Sequence, residues 1–541
     1  MKKQLCIVGG GPAGVGVAWA LAQSPAVAAE WSITILHDED QVGGHCATYP
    51  VPNPVTQQTV PVDIGVQCVA PLINPNVSLM LGEAPFTTTA PVVDAGPLKI
   101  ACAFPPRNGQ SMNWGNFPQY QQGPLFALYS EPGMVPDCTE LQNFIRSFFD
   151  FEMGWAGKSV QDWLNAPVGG TLTNPADFIS YFVDPYMSVI MGYGAPDLSA
   201  ILFEDILPLF GKIPFFPGPM AAWTQPGLGW QRWTNGARTW VQTMFDVAKK
   251  SIDVSLVVSS PNGATGVWLD PSNPSGQVWV AWDAVPKGQP FDKVVMTTDM
   301  QTNARLLNNK TNANAWGKFY ADVLSAYRWN VLQGGTCYIH GDTSILSPEL
   351  LSLQQETVQF TAYHSTAGAK PGQPYNLDTT YASYFVENVR QDPAAKQLYV
   401  TMYGPNQPED TLPKNPLVSK PFIHGLWLPG SMEKSTKVVY RAQGAGGIDG
   451  GKSWLPNTGT NLYFAGNNTT MDSVEGALVS AMVIANYAFG VPYSLPLRPL
   501  TAAGFALFAY LYLGLMFPVE ASSLRQALTH KLSLSAMAAL L

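Results

Sequence analysis

With 541 residues the chain can hold a cofactor domain and a substrate domain, each with its own core. Only 12% of the residues are charged and the net charge is −9, which leaves no basic excess for following nucleic acid or anionic lipid by charge; the expected partner is a small, uncharged molecule. Six cysteines (Cys6, Cys46, Cys68, Cys102, Cys138, Cys337) show no paired metal-ligand spacing, so no metal site is expected and a reducing, cytoplasmic compartment is compatible with them.

In chain order, Leu5 to Val8 reads as a short buried strand, and Gly9-Gly10-Gly11-Pro12-Ala13-Gly14 follows it directly and opens a helix over Val15 to Ala22. That pattern binds a dinucleotide. Gly9 permits the tight turn, Gly11 lets the backbone approach a pyrophosphate, and Gly14 lets helix and strand pack closely, while the helix that Pro12 and Ala13 open offers its free N–H groups and positive dipole to the phosphates. A second strand, Trp31 to Leu36, arrives at the spacing of a βαβ unit, and an ordinary glycine-rich loop explains neither flanking element. The ribose-binding acid at that strand's end falls at His37 or Asp38, with Asp38 the choice because a carboxylate accepts from both ribose hydroxyls. Since the first strand begins at residue 5, no removable secretory signal is expected, and the sequons at Asn76, Asn309 and Asn467 read as chance.

Gln41-Val42-Gly43-Gly44-His45 and, further on, Val62-Asp63-Ile64-Gly65-Val66-Gln67 come next. Here the chain resembles the large FAD-dependent family of flavin amine oxidases, phytoene-type desaturases and protoporphyrinogen oxidases. Most members follow the glycine pair with Arg, where this chain has His45, and hold Glu where it has His37. The resemblance implies FAD as cofactor and an α/β fold: a Rossmann-like FAD-binding domain of the glutathione reductase type, with a mixed α+β substrate domain inserted. Gly43, Gly44, His45, Gly65 and Val66 would then belong to the cofactor site.

The resemblance continues through Gln231 to Trp240, which precedes a helix, and through the strand Ile252 to Val257, where the backbone of Val257 would meet adenine. Phe291 to Thr298 is a buried strand returning to the cofactor domain. Asn461 to Asn467 reads as a strand and turn, and Ser473 to Ala481 opens a helix of small residues. Family members close the flavin site with such a segment, which implicates Gly466, Asn467 in place of a common acid, and Val474, Glu475 and Ala477 on a helix whose positive end would favour reduced flavin. The FAD-binding domain is therefore assigned to 1–70, 230–300 and 455–492, and the substrate domain to 71–229 and 301–454. The first insertion is rich in Pro and aromatics, with helical periodicity clearest over Thr139 to Met153 and Pro175 to Met191.

Within the second insertion, Cys337 to Pro348 contains His340-Gly341-Asp342 and looks like a bacterial subgroup linked to lipid modification. His340 can exchange a proton near neutral pH with Asp342 orienting it, or the two can simply cap a turn. Tyr381 to Asn388 and Tyr399 to Met402 fit strands. Lys212 and Lys293 are the candidates by position for an amine oxidase lysine near the flavin. The tail, 493–541, is uncharged between Arg498 and Glu520 and suits peripheral membrane contact, a buried or oligomer-forming role, or less well a span. The expected function is FAD-dependent desaturation or double-bond isomerisation of an unsaturated lipid or similar apolar molecule. A flavin amine oxidase and a non-catalytic FAD-containing lipid-binding protein are the alternatives.

Overall fold

Leu5, Cys6, Ile7 and Val8 are wholly buried because their strand is the centre of a five-stranded parallel sheet covered on both faces, the setting in which a strand reads as an unbroken apolar run. The computed structural model describes residues 2–104, 113–115, 230–346, 351, 358–365, 376–403, 411–427, 438–439, 460–469 and 473–495, apart from gaps at 72–73, 97–98, 260–262, 274–275, 318 and 493. The expected helices over Thr139 to Met153 and Pro175 to Met191, Lys212, and the tail beyond 495 lie outside the described residues. Among the described residues no helix is long and apolar enough to cross a membrane.

Along the chain, β1 (Lys3–Val8), α1 (Pro12–Ala22) and β2 (Trp31–His37) form a βαβ unit, followed by the hairpin β3 (Cys46–Pro52) and β4 (Thr59–Gly65), then α2 (Pro75–Leu81) and β5 (Ile100–Ala103). From residue 230 onward come β6 (Gln231–Trp233), α3 (Arg238–Ser251), β7 (Asp253–Val258) and β8 (Lys293–Met296). A three-stranded antiparallel meander, Gly266–Leu269, Val278–Trp282 and Val285–Phe291, links β7 to β8. Further along are β9 (Asn330–His340), β10 (Phe360–Ser365), β11 (Asn376–Phe385), α4 (Val386–Arg390), β12 (Tyr399–Tyr403) and β13 (Val418–Trp427). The chain returns through β14 (Leu462–Phe464) and α5 (Val474–Phe489).

The parallel sheet has the order β7-β2-β1-β8-β14, so its last strand comes from the far end of the sequence. Leu5 and Ile7 pack with α1, α3 and α5 on one face, whereas Cys6 and Val8 pack with the meander on the other. Helix α1 is apolar all round and buried along its length, as a helix between a sheet and two other helices must be. Gly16 lets it approach α5, since a Cβ there would stand 3.0 Å from the Cβ of Ala481.

The second sheet has the order β13-β9-β12-β11-β10-β5, with Trp114–Gly115 beyond β5. The strand expected to run to Asn388 ends at Phe385. Val386 and Val389, three apart, are both buried by one helical turn instead, a spacing that a strand would send to opposite faces.

Gly14 decides how closely α1 sits on β1, because a Cβ at that position would lie on the carbonyl oxygen of Gly9. Substituting Gly14→Ala is expected to cost about 3 kcal/mol or more of unfolding free energy in urea titrations, at the upper end of overpacking penalties.

Candidate cofactor site

The turn between β1 and α1 is shaped by backbone rather than side chains. Gly9 has φ +114°, open to glycine alone at little cost, and its N–H donates to Leu36 O at 2.9 Å, which ties the turn to the end of β2. Thr297, just past β8, donates its hydroxyl to Val8 O at 2.9 Å and Gly9 O at 3.1 Å. Gly11 caps α1 with no side-chain acceptor, Pro12 fills the first turn, and no acidic residue stands there. The first-turn N–H groups therefore face outward toward an acceptor that the helix does not supply.

A second glycine pair meets the first. Gly43 N donates to Gly10 O at 3.0 Å, and Gly44, at φ +53°, comes so close that a Cβ on it would lie 2.9 Å from Gly11 Cα. From the other end of the sequence Gly466 closes on Ala13, with a Cβ on the glycine 3.1 Å from that of the alanine, and its N–H donates to Ser480 Oγ at 2.8 Å. Three segments thus converge on the start of α1: 9–14, 43–44 and 466.

At the end of β2 the two candidates divide the work. The His37 ring lies over Gly10, where a Cβ would be 2.6 Å from it, and Nε2 is buried without a hydrogen-bond partner among the described residues. Asp38 turns onto the ring, its Oδ1 2.9 Å from Nδ1, and that bond holds its carboxyl below the usual carboxylate range. With Nδ1 bonded to Asp38, Nε2 is the ring nitrogen left for a partner beyond the described residues. Val257 lies beside this corner in β7, paired with Leu36, and Ser259 N donates to His37 O at 2.8 Å.

His45, Gly65 and Val66 form a neighbouring group. Val66 N reaches His45 O at 3.5 Å, and Gly65 leaves room for Phe422, whose ring would stand 2.5 Å from a Cβ there and packs 5.1 Å from the His45 ring. The hairpin is anchored by Asp63, which accepts from Thr48 Oγ1 and from Ala237 N at 2.9 Å, while Thr48 Oγ1 accepts from Arg238 N at 3.0 Å. These two side chains cap the start of α3. Arg238 in turn lies against Gly43 and reaches Gln41 and Glu39. Sequence reasoning passed over Thr297, Asp63, Thr48 and Arg238, all of which lay inside or next to segments it had singled out.

Glu475 is placed differently from the expectation. It is fully buried and its carboxylate accepts from Asn76 N, Asn76 Nδ2 and Val77 N, so it caps α2 rather than facing the glycine turn. Val474 and Ala477 occupy the same first turn of α5, where Ser473 Oγ accepts from Gly476 N. Gly466–Asn468 is a single 3-10 turn; the expectation for the Asn467 side chain lies outside the described residues. Its neighbour Asn468 is buried and bonded to Asn303, Thr298 and Ala465.

His340 and Asp342 do not join this site. Gly335, Cys337 and Ile339 of β9 share a face with Phe422, which meets Gly65, and His340 points to the other face. There its Nε2 bonds Thr401 Oγ1 at 2.9 Å, Thr401 bonds Ser383 at 2.8 Å, and burial pushes its pKa down to about 4, against the opposing influence of Asp342. The carboxylate of Asp342 accepts from Ser344 and Lys414, so the idea that it orients His340 by a hydrogen bond is corrected: it caps a turn. Lys293 sits opposite Leu5, at the end of the sheet away from the glycine turn, bonded to Tyr463 Oη at 2.8 Å and lying over the rings of Tyr463 and Phe489.

Burial raises the pKa of Glu475 to about 7 despite its three donors. A raised carboxyl favours the fold most below its unfolded value of 4.5, and that advantage is lost as the pH climbs through 7. Wild-type stability is thus expected to fall by about 3 kcal/mol between pH 4.5 and 7.5 from this group. In Glu475→Gln the denaturation midpoints measured across the same range should lose that share of the slope, keeping the part below about pH 6 that Asp63 contributes.

Residues 7–84 match the family model for a NAD(P)-binding Rossmann-like domain. No curated protein matches the sequence. Among solved structures, a protein assigned as protoporphyrinogen oxidase from Exiguobacterium sp. 255-15 is 12% identical, with a TM-score of 0.52 over 90% of this chain and 98% of that one. A putrescine oxidase solved with putrescine has 12% identity and a TM-score of 0.51, over 91% and 99%. Cyclohexylamine oxidase from Brevibacterium oxydans IH-35A has 12% and 0.50, over 90% and 100%. These likenesses show that the chain shares the fold of those oxidases, and the matched segment with its converging glycines is a Rossmann-like NAD(P)-binding domain.

Proposed function

We propose that the protein is an FAD-dependent oxidoreductase whose substrate is an apolar molecule such as an unsaturated lipid. The observation that carries the cofactor is the meeting of 9–14, 43–44 and 466 around uncapped N–H groups of α1, with His37 Nε2 buried and unpartnered at the ribose end. Gly11, Pro12, Ala13 and Gly14 would hold the pyrophosphate, His37 the ribose, and Val257 the adenine side. Bound there, FAD supplies the hydride acceptor, giving desaturation, or isomerisation where the hydride returns to another carbon of the same substrate.

The chain's own contribution is to bind, orient and exclude water. Gly65 and Phe422 bring the seven-stranded sheet against the cofactor domain, and the face turned there carries Cys337, Ile339, Val400 and Met402. Those side chains are buried and mostly apolar, and Lys420, opposite Cys337 on the same face, has its ammonium group paired with Glu39 at 3.2 Å. A mostly apolar face whose Lys420 ammonium is already paired suits an apolar substrate better than a diamine. The tail would add peripheral membrane contact or self-association.

Removing the His37 ring should weaken FAD about tenfold, the worth of one buried hydrogen bond, measured by flavin fluorescence on titrating apoprotein of His37→Ala. Ala at His340 should leave that affinity unchanged. Mixing the yellow holoprotein anaerobically with unsaturated fatty acids and with amines tests the substrate. Bleaching by a lipid, or double-bond migration in it, supports the proposal; bleaching by an amine with peroxide on admitting air discards the lipid reading. A colourless protein that takes up no flavin overturns the whole assignment, and a yellow one reduced by no substrate class favours a binding protein.

A further inference from the structure

The nitrogens of the Arg238 guanidinium are unequally occupied. Nη1 donates to Gln41 Oε1 at 2.7 Å, whereas Nη2 reaches Glu39 Oε2 only at 3.4 Å, and Nε is buried with no acceptor among the described residues. Nε and Nη2 lie along one edge of the guanidinium plane and form the fork that fits a pair of phosphate oxygens. Glu39 does not fill that fork, since its other oxygen goes to Lys420 at 3.2 Å.

The side chain is held in place beside the glycine turn. Arg238 is the first residue of α3, its backbone N–H is taken by Thr48, and its guanidinium lies over the Tyr49 ring at 5.4 Å. A Cβ built on Gly43 would stand 3.1 Å from Nε, and Gly43 N in turn donates to Gly10 O at 3.0 Å. Only the Gly43 backbone therefore stands between Arg238 and the turn that opens α1. His45, at the place where most of the flavoproteins that the chain resembles carry Arg, packs its ring against Phe422 instead.

We infer that Arg238 is a cofactor-binding residue: its Nε edge takes a diphosphate oxygen of the dinucleotide and supplies, from the start of α3, the cation that the residue after the glycine pair does not. This rests on the reading of the glycine turn as a dinucleotide site. A water can satisfy Nε, yet only a cation offsets the charge that a diphosphate brings to a turn bordered by Asp38 and Glu39. Glu39 competes for the same cation, and on binding it is left to Lys420.

The test titrates apoprotein with FAD, read by flavin fluorescence, and with ADP, read by calorimetry. Arg238→Gln is expected to weaken both about tenfold or more and to flatten the salt dependence of ADP affinity, and Arg238→Lys to lose less. Glu39→Gln should bind ADP at least as tightly as the unaltered chain. A side chain that merely anchored residues 39–43 would give the opposite result there, because loss of Glu39 removes part of the same anchor. Crystals of the unaltered protein grown with ADP should show a phosphate oxygen within hydrogen-bonding distance of Nε, which decides the matter where Arg238→Gln fails to fold. Unaltered protein that binds neither FAD nor ADP overturns the cofactor reading and this inference with it. Full affinity in folded Arg238→Gln, equal weakening in Glu39→Gln, or a crystal with the phosphates away from Arg238 overturns this inference alone.

Discussion

The approach of Gly14 to the carbonyl of Gly9 governs the molecule's geometry. It sets the distance between α1 and the centre strand of the parallel sheet, and Thr297 bonds the same carbonyl from the strand beyond. With α1 that near, Gly16 can meet Ala481 of α5 and Ala13 can meet Gly466. The last part of the chain is thereby docked on the first. None of these contacts would survive an extra methyl group without a shift of backbone, because interiors at native density have no slack of that size.

The hairpin β3-β4 performs the corresponding task for the other half. It delivers Thr48 and Asp63 to the start of α3, and Gly65 to the ring of Phe422 in the second sheet. Burial pushes the pKa of Asp63 up to about 6 while the Thr48 and Ala237 donors oppose that shift. A carboxylate in such a place holds structure through directed hydrogen bonds more than through its net charge.

The glycine turn and its two flanking strands were legible in the sequence because buried parallel strands and phosphate-binding turns leave contiguous patterns. Leu5 to Val8 and Gly9 to Gly14 needed no distant partner to be read. The strand ending near Val257 and the turn at Gly466 were legible by their likeness to a family. Glu475 was not, since its fate depends on α2, nearly four hundred residues earlier in the chain. His340 shows the same limit: a period-two pattern tells which residues share a face but not which face meets the cofactor domain.

Lys293 carries a consequence for handling the protein. Burial, with Lys3 adding to it, lowers its pKa to about 8, so near that pH about half the molecules present a free amine where ordinary lysines stay protonated. Amine-directed dyes or cross-linkers applied in mildly alkaline buffer would find a favoured anchor among Tyr463 and Phe489, at the sheet end remote from the glycines. A reporter attached there would follow the protein without obstructing the glycine turn.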